Sequence, residues 1–440
     1  MKVLKFGGTS VGSPQNMRSV IKIITDGEQK IVVLSAMSGT TNVLVEISEL
    51  LSKRNRETAG ILTGKLEAGY RDVVNNLYER EDNKEKGYQI IKDSFETIKS
   101  FLAGRFTQVA ANTILSMGEI MSTKLFTLLM DECGYNVKLL PALDFMRIDE
   151  DKMADLKFIS DNLKRVMSEA GNADYYITQG YICRNAYGEV DNLQRGGSDY
   201  TASLIGAAIE AEEIQIWTDI DGFHNNDPRY VENTHKIDQL SFYEAAELAY
   251  FGAKILHPQT IYPARIQDIP VRLKNTLNPS DPGTLITSET TGKGIKAVAA
   301  KDGITAIKIR SDRMLMAYGF LKSVFKVFEK YKTPIDMIST SEVALSLTID
   351  NTDNIKKILG ELDKFGTVET DYNMTIICIV GDITGEERGF ASKVFNALDG
   401  IPIRMISYGG SRYNISVLVP DKHKQTTLRA LSNNLLNNNS

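Results

Sequence analysis

The last third of the chain repeats itself. Gly319-Phe320-x-x-x-Val324-Phe325 returns as Gly389-Phe390-x-x-x-Val394-Phe395, 70 residues on, and Ile335-Asp-Met-Ile-Ser339 returns as Ile403-Arg-Met-Ile-Ser407, 68 residues on. The alternating run 343–349 matches 413–419. Each copy reads helix, strand, strand, helix, with a strand ahead of it at 304–309 and 375–380. That is the βαββαβ order of a small ferredoxin-like module. Two copies are too few for a solenoid, so they are expected to pack on each other or on another subunit.

The sequence ahead of the repeat has a different grammar. Val3-Leu-Lys-Phe6 reads as a short buried strand ending in Gly7-Gly8-Thr9-Ser10. A helical stretch at 13–25 follows, and a second apolar run at 31–37 ends in Ser38-Gly39-Thr40-Thr41. Strand, glycine turn, helix, strand is the pattern of a parallel α/β sheet. Further strands are expected at 137–140, 175–178 and 214–217, with a helix over 200–212. The charged stretch 53–102 reads as a helical excursion with a mostly solvated face. Ser241-Phe-Tyr-Glu244 is a capping box opening a helix that runs to Gly252. Turn-rich segments at 278–283 and 290–294 place a boundary near 285–300. The expected division is 1–290 for the α/β domain and 300–440 for the repeats. The first module would span 311–372 and the second 375–440, with the strand 304–310 a candidate to complete the second.

A length of 440 residues suits two or three domains, and 42 % hydrophobic with 24 % charged residues is ordinary for a globular protein. A net charge of −5 leaves no basic surplus for a nucleic-acid backbone, so no nucleic-acid partner is expected. Three scattered cysteines and four histidines argue against a structural zinc site and for a reducing compartment. The opening residues lack a signal-peptide pattern and no apolar run is long enough to span a bilayer. The expectation is a cytoplasmic protein without a membrane partner.

No GxxxxGK[ST], HExxH or GxSxG motif occurs. What does occur is a set of polar loops after strands. Lys5-Phe-Gly-Gly-Thr-Ser10 offers closely spaced amides beside a lysine, which suits a phosphate or serves as a tight turn. Arg195-Gly-Gly-Ser-Asp199 pairs a guanidinium able to grip a carboxylate with a carboxylate that could equally be a plain helix N-cap. Thr218-Asp219 stands at a strand end, where α/β sheets bind ligands, while Trp217 before it reads as core. Asp227-Pro-Arg229 fits a salt-bridged turn, and Lys254 fits the negative end of the capped helix.

Taken together and in order, Lys5-Phe-Gly-Gly-Thr-Ser10, Leu34-Ser-Ala-Met-Ser-Gly-Thr-Thr-Asn42, Ser116-Met-Gly-Glu119, Thr178-Gln-Gly-Tyr181, Arg195-Gly-Gly-Ser-Asp199, Trp217-Thr-Asp219, Asp227-Pro-Arg229 and Phe251-Gly-Ala-Lys254 resemble the aspartate kinase family. The tandem repeat resembles that family's paired ACT domains. The resemblance implies an amino-acid-kinase-type three-layer α/β sandwich with a mainly parallel central sheet, followed by two ACT modules. It also implies transfer of phosphate from ATP, with Mg²⁺, to the side-chain carboxylate of L-aspartate, the first step toward lysine, threonine and methionine. By the same resemblance Lys5 and Asp199 are catalytic. Lys5, Gly7, Gly8, Ser35, Thr218, Asp219, His224, Arg229 and Lys254 would hold ATP. Thr41, Glu119, Arg195, Ser198 and Asp199 would hold aspartate, and no protein side chain would ligate the metal directly. His224 stands where the family often has tyrosine.

In the first repeat, Met314, Gly319, Phe320, Leu321, Asp336 and Ser341 resemble the family's amino-acid effector site, for lysine or threonine. The second repeat carries Arg404 where the first has Asp336, so the two are not expected to bind the same cation. A homodimer or larger homo-oligomer through the ACT modules is implied. Two other readings remain at this point: a kinase of the same fold acting on another acceptor, and a sensor without catalysis.

Overall fold

The computed structural model describes residues 1–104, 106–193, 196–252, 256–289, 292, 294–314, 318–383 and 389–436. The chain forms two bodies, one of Met1–Gly222 with Leu256–Glu289, the other of Phe223–Ile255 with Thr290–Ser440.

The first body begins β1 (Lys2–Phe6), α1 (Pro14–Ile24), β2 (Lys30–Leu34), then the helices α2 (Thr40–Ser52), α3 (Arg56–Leu77), α4 (Glu81–Ala103) and α5 (Gln108–Glu132). It continues with β3 (Val137–Leu140), α6 (Leu156–Ala170), β4 (Tyr175–Gln179), the hairpin β5 (Ile182–Arg184) and β6 (Val190–Asn192), α7 (Gly197–Ile209) and β7 (Ile214–Thr218). The chain passes through β8 (Gln239–Ser241) and α8 (Phe242–Phe251) of the other body, then returns as α9 (Tyr262–Ile266), β9 (Val271–Asn275) and β10 (Thr284–Thr287).

In the first body the strands lie in the order β3-β4-β2-β1-β7-β9-β10, parallel except for β10. Every residue of β2 is buried, as expected of a central parallel strand covered on both faces. Register aligns the strand ends: Phe6 sits beside Leu34 and Trp217, and Leu34 beside Gln179. The loops after β1, β2 and β4 therefore emerge together. The charged stretch 53–102 becomes α3 and α4, and it is less solvated than its composition suggests. Tyr70, Val74 and Leu77 of α3 and Ile91, Phe95 and Ile98 of α4 are buried, with Tyr70 and Phe95 edge to face at 6.1 Å.

In the second body the capping box is present: Ser241 Oγ accepts from the Glu244 amide and Glu244 Oε2 from the Ser241 amide, at 3.2 and 2.7 Å. The remaining elements are β11 (Gly294–Arg310), α10 (Phe320–Lys330), β12 (Ile338–Thr340), β13 (Ala344–Ile349), α11 (Ile355–Leu362), β14 (Thr367–Asp382), α12 (Phe390–Ala397), β15 (Met405–Ser407), β16 (Asn414–Pro420) and α13 (Lys424–Leu431). Their sheet order is β12-β13-β11-β14-β16-β15. The repeat is visible in the backbone: α10 and α12 each start behind a left-handed glycine, Gly319 at φ +83° and Gly389 at φ +88°.

Two sequence expectations change here. Residues 304–310 pair with β13 and so belong to the first module, while the segment 294–301 of β11 pairs with β14 beside β16. The second module is thus completed by 294–301 and not by 304–310. The register shift between Lys301 and Ile304 lets one strand serve both modules. The single cut near 285–300 is also replaced, because 223–255 packs with the second body. Val298 donates its amide to the Asn225 carbonyl at 2.8 Å, Asn226 Nδ2 donates to the Leu428 carbonyl at 3.1 Å, and Tyr243 stacks on Tyr413 with centroids 5.0 Å apart.

Candidate active site

The site forms where the ends of β1 and β2 meet the middle of α5 and the first turn of α7. Lys5 Nζ lies 2.6 Å from Asp199 Oδ1, and both side chains are largely buried. The helix expected from 200 starts at Gly197, with Gly196 as its N-cap, so Asp199 sits inside the first turn and is not the cap. There its charge also meets the positive end of the helix.

A cavity of about 400 Å³ opens beside this pair, lined among others by Gly8, Ser35, Thr41, Glu119, Tyr181 and Ser198. Ser35 Oγ donates to Ser198 Oγ at 2.9 Å, tying the loop after β2 to α7. The Ala36 amide donates to Glu119 Oε1 at 3.3 Å, while Glu119 Oε2 is buried with no hydrogen-bond partner. Burial pushes the Glu119 carboxyl up to about 7. Glu119 reaches the cavity because Gly118 lets α5 approach closely: a Cβ there would stand 2.9 Å from the Ala36 Cβ. Gly180 does the same for α7, since a Cβ would fall 2.4 Å from both Cβ and Oγ of Ser198.

Tyr181 is a lining residue that sequence reasoning passed over, although it closes one of the quoted motifs. Its backbone is left-handed at φ +69°, a conformation costly for an aromatic residue. The Tyr181 amide donates to Thr201 Oγ1 at 3.0 Å, and its carbonyl accepts from the Leu193 amide at 2.7 Å. Thr201 of α7 and Leu193 just after β6 thus hold the Tyr181 backbone in place beside the cavity.

The remaining expected residues are spread more widely. Thr218 ends β7, and its hydroxyl donates to Asp219 Oδ1 at 3.1 Å. The Thr276 hydroxyl donates to the Thr218 carbonyl at 3.0 Å and lies 2.9 Å from Ser10 Oγ, linking the β7 end to the first glycine loop. Gly7 accepts from the Ser10 amide at 3.0 Å within that loop. His224 and Arg229 belong to the second body; Thr234 Oγ1 is 3.4 Å from His224 Nδ1, and Arg229 is gripped by Asp227 with Nη2 to Oδ2 at 2.7 Å. Arg195 and Lys254 lie outside the described residues.

Of the expected effector residues, Met314 ends a short turn of helix, Gly319 caps α10, and Phe320 and Leu321 begin it. The Ser341 amide donates to the Ala344 carbonyl at 2.8 Å. Asp336 is almost wholly buried. Its Oδ1 accepts from Tyr250 Oη and from Lys301 Nζ, both at 2.6 Å, and its Oδ2 has no hydrogen-bond partner. In the second repeat the opposite charge is paired, Arg404 Nε donating to Asp371 Oδ2 at 2.6 Å.

The sandwich with its glycine loops and buried carboxylate is the architecture of the amino acid kinase family, whose model matches residues 1–275, and an ACT domain model matches residues 377–435. The lysine-sensitive aspartokinase 3 of Escherichia coli is 33 % identical over 453 residues, covering 98 % of each chain. The chain belongs to the aspartokinases. The crystal structure of E. coli aspartokinase III with aspartate and ADP superposes with a TM-score of 0.82 at 30 % identity, over 99 % of this chain and 100 % of that one. The same protein with lysine and aspartate gives 0.80 at 31 % identity, over 99 % of both.

Proposed function

We propose that the chain phosphorylates the side-chain carboxylate of L-aspartate with ATP, giving 4-phospho-L-aspartate and ADP, and that the cavity beside Lys5 is where this happens. The observation that carries the reading is one cavity lined by Glu119, whose Oε2 has no hydrogen-bond partner, and by Ser198, the residue before the Asp199 that pairs with Lys5. A carboxylate acceptor is already ionised at neutral pH, so the nucleophile needs no general base. What the transfer needs is two anions held together and the charge on the moving phosphoryl group offset.

Lys5 supplies that charge, with Asp199 fixing its ammonium, and the Gly7 and Gly8 amides add donors. Glu119 accepts from the aspartate ammonium. Arg195 clamps the α-carboxylate, while Thr41 and Ser198 hydrogen-bond the substrate and Ser35 orients Ser198. Thr218 and Asp219 hold the nucleotide on the first body, and for His224, Arg229 and Lys254 that role rests on the family resemblance alone. Among the described residues no group of three or more His, Cys, Asp or Glu could cage a metal. Amides, hydroxyls and Lys5 suit Mg²⁺ carried in on the phosphates with no direct side-chain ligand, Asp199 acting on that assembly through its pair with Lys5. Bound there, Mg²⁺ would offset phosphate charge.

Regulation by lysine or threonine through the first ACT module extends the reading. The E. coli protein is lysine-sensitive, and Asp336 offers a buried carboxylate oxygen without a partner. Among the described residues no helix is long and apolar enough to cross a membrane. A cytoplasmic homo-oligomer assembled through the ACT modules is proposed from the family resemblance.

Hydroxylamine tests the acceptor, because it converts an acyl phosphate to a hydroxamate and leaves a phosphate ester unchanged. With aspartate, glutamate and acetylglutamate offered separately, hydroxamate should form with aspartate; formation only with another acceptor would replace the reading.

A further inference from the structure

We propose that the first body carries a second ligand site, a lysine-lined cavity that takes a small phosphate-bearing anion. The cavity measures about 540 Å³, within the range of small-molecule sites, and shares no lining residue with the cavity beside Lys5. Leu4, Gln215 and Trp217 form its floor on β1 and β7, with Lys274 and Thr276 on one side and the last turn of α1 on the other.

Four lysines line it: Lys2, Lys22, Lys30 and Lys274. Two are neutralised, Lys2 by Glu28 at 2.7 Å and Lys30 by Asp26. Among the described residues Lys22 and Lys274 have no ion-pair partner. The carboxylates whose charge is felt at Lys274 have other partners: Glu213 pairs with Arg272 at 2.9 Å, and Asp281 accepts from the Gly283 amide at 2.7 Å. Lys274 is half-buried over the Trp217 ring, 5.0 Å from its centroid, and burial lowers its pKa. A partly desolvated ammonium without a counter-ion gains most from a bound anion. Several lysines around one opening suit a phosphate, whose oxygens accept from many directions.

The walls of this cavity touch the catalytic strands from behind. Trp217 stacks on Phe6 with centroids 5.6 Å apart, and Phe6 follows Lys5. Thr276 is the residue already bonded to Thr218 and Ser10. The site therefore lies against both loops of the transfer centre without belonging to it.

Trp217 is the chain's one tryptophan, so its emission reports on this cavity. The full chain is titrated with pyrophosphate and with inorganic phosphate, following tryptophan fluorescence and heat. A saturable response is expected, weakened about tenfold or more, one charged hydrogen bond's worth, in Lys274→Met and in Lys22→Ala. Lys22 is exposed on α1, so its variant keeps the test usable if Lys274→Met does not fold. The response should survive Lys5→Met, and Lys22→Ala should keep full turnover. No response to either anion, a response unchanged in both cavity variants, or one lost in Lys5→Met would each overturn the site, the last by placing the anion in the transfer cavity.

Discussion

Glu119 holds a carboxyl buried deeply enough to titrate near 7, and this sets a pH signature on substrate binding. Only the ionised form can receive the aspartate ammonium. KM for aspartate should therefore fall as pH rises through about 7, and Glu119→Gln should flatten that dependence while raising KM roughly 10- to 100-fold. Stability moves the other way. The folded chain holds this proton more tightly than the unfolded one, so the contribution is complete below the ordinary carboxylate range and is lost as pH rises through about 7. Melting curves at about pH 5 and about pH 8 should diverge less in Glu119→Gln than in the parent; equal divergence would contradict the assignment. Lys5→Met should lower kcat roughly 10²- to 10³-fold with the fold intact by circular dichroism. Lys5 and Asp199 were legible because charged residues in glycine loops are conspicuous, and Glu119, inside α5, only through the Ser116-Met-Gly-Glu119 motif that carries the resemblance. Tyr181 was not: nothing about an aromatic residue after a glycine announces φ +69°, which Thr201 and Leu193 impose from other elements.

The element that organises the site is the first turn of α7, which presents Ser198 and Asp199 to loops from β1 and β2. Its approach depends on the missing side chain of Gly180. Gly180→Ala would drive a methyl into Ser198, cost about 1–3 kcal/mol, and depress activity more than stability alone explains. Denaturant unfolding alongside aspartate KM checks this, and an unchanged KM would show that the turn is not what positions Ser198. Sequence period located β1, β2, β7 and the capped helix α8 well, since each has its own local signal. The start of α7 was placed three residues late because Gly196, Gly197 and Ser198 read as loop, and only the backbone reveals Gly196 as the cap.

At the scale of the whole molecule, the repeat announced two modules but not how they share strands. Residues 294–301 follow directly on the turn-rich boundary and carry an unbroken apolar run at 297–300 without strand alternation, so only 304–310 stood out as a strand able to complete the second module. Pairing shows that one continuous strand, β11, serves both. A fragment of residues 375–440 lacks the strand 294–301 that lies along β14, and should remain unfolded, whereas 294–440 should fold cooperatively. Dispersed amide resonances from the shorter fragment would contradict this shared-strand account. The tie of 223–255 to the second body was equally silent in sequence, because Asn225, Asn226 and Tyr243 find their partners between about 70 and 200 residues away. The central claim is that the cavity beside Lys5 brings the terminal phosphate of ATP to the distal carboxylate of aspartate. Phosphorus NMR of a reaction run with aspartate labelled at its side-chain carboxyl carbon tests it most directly. The account predicts an acyl phosphate resonance coupled to that carbon; a phosphorylated α-carboxylate, or ATP cleaved to free phosphate alone, would contradict it.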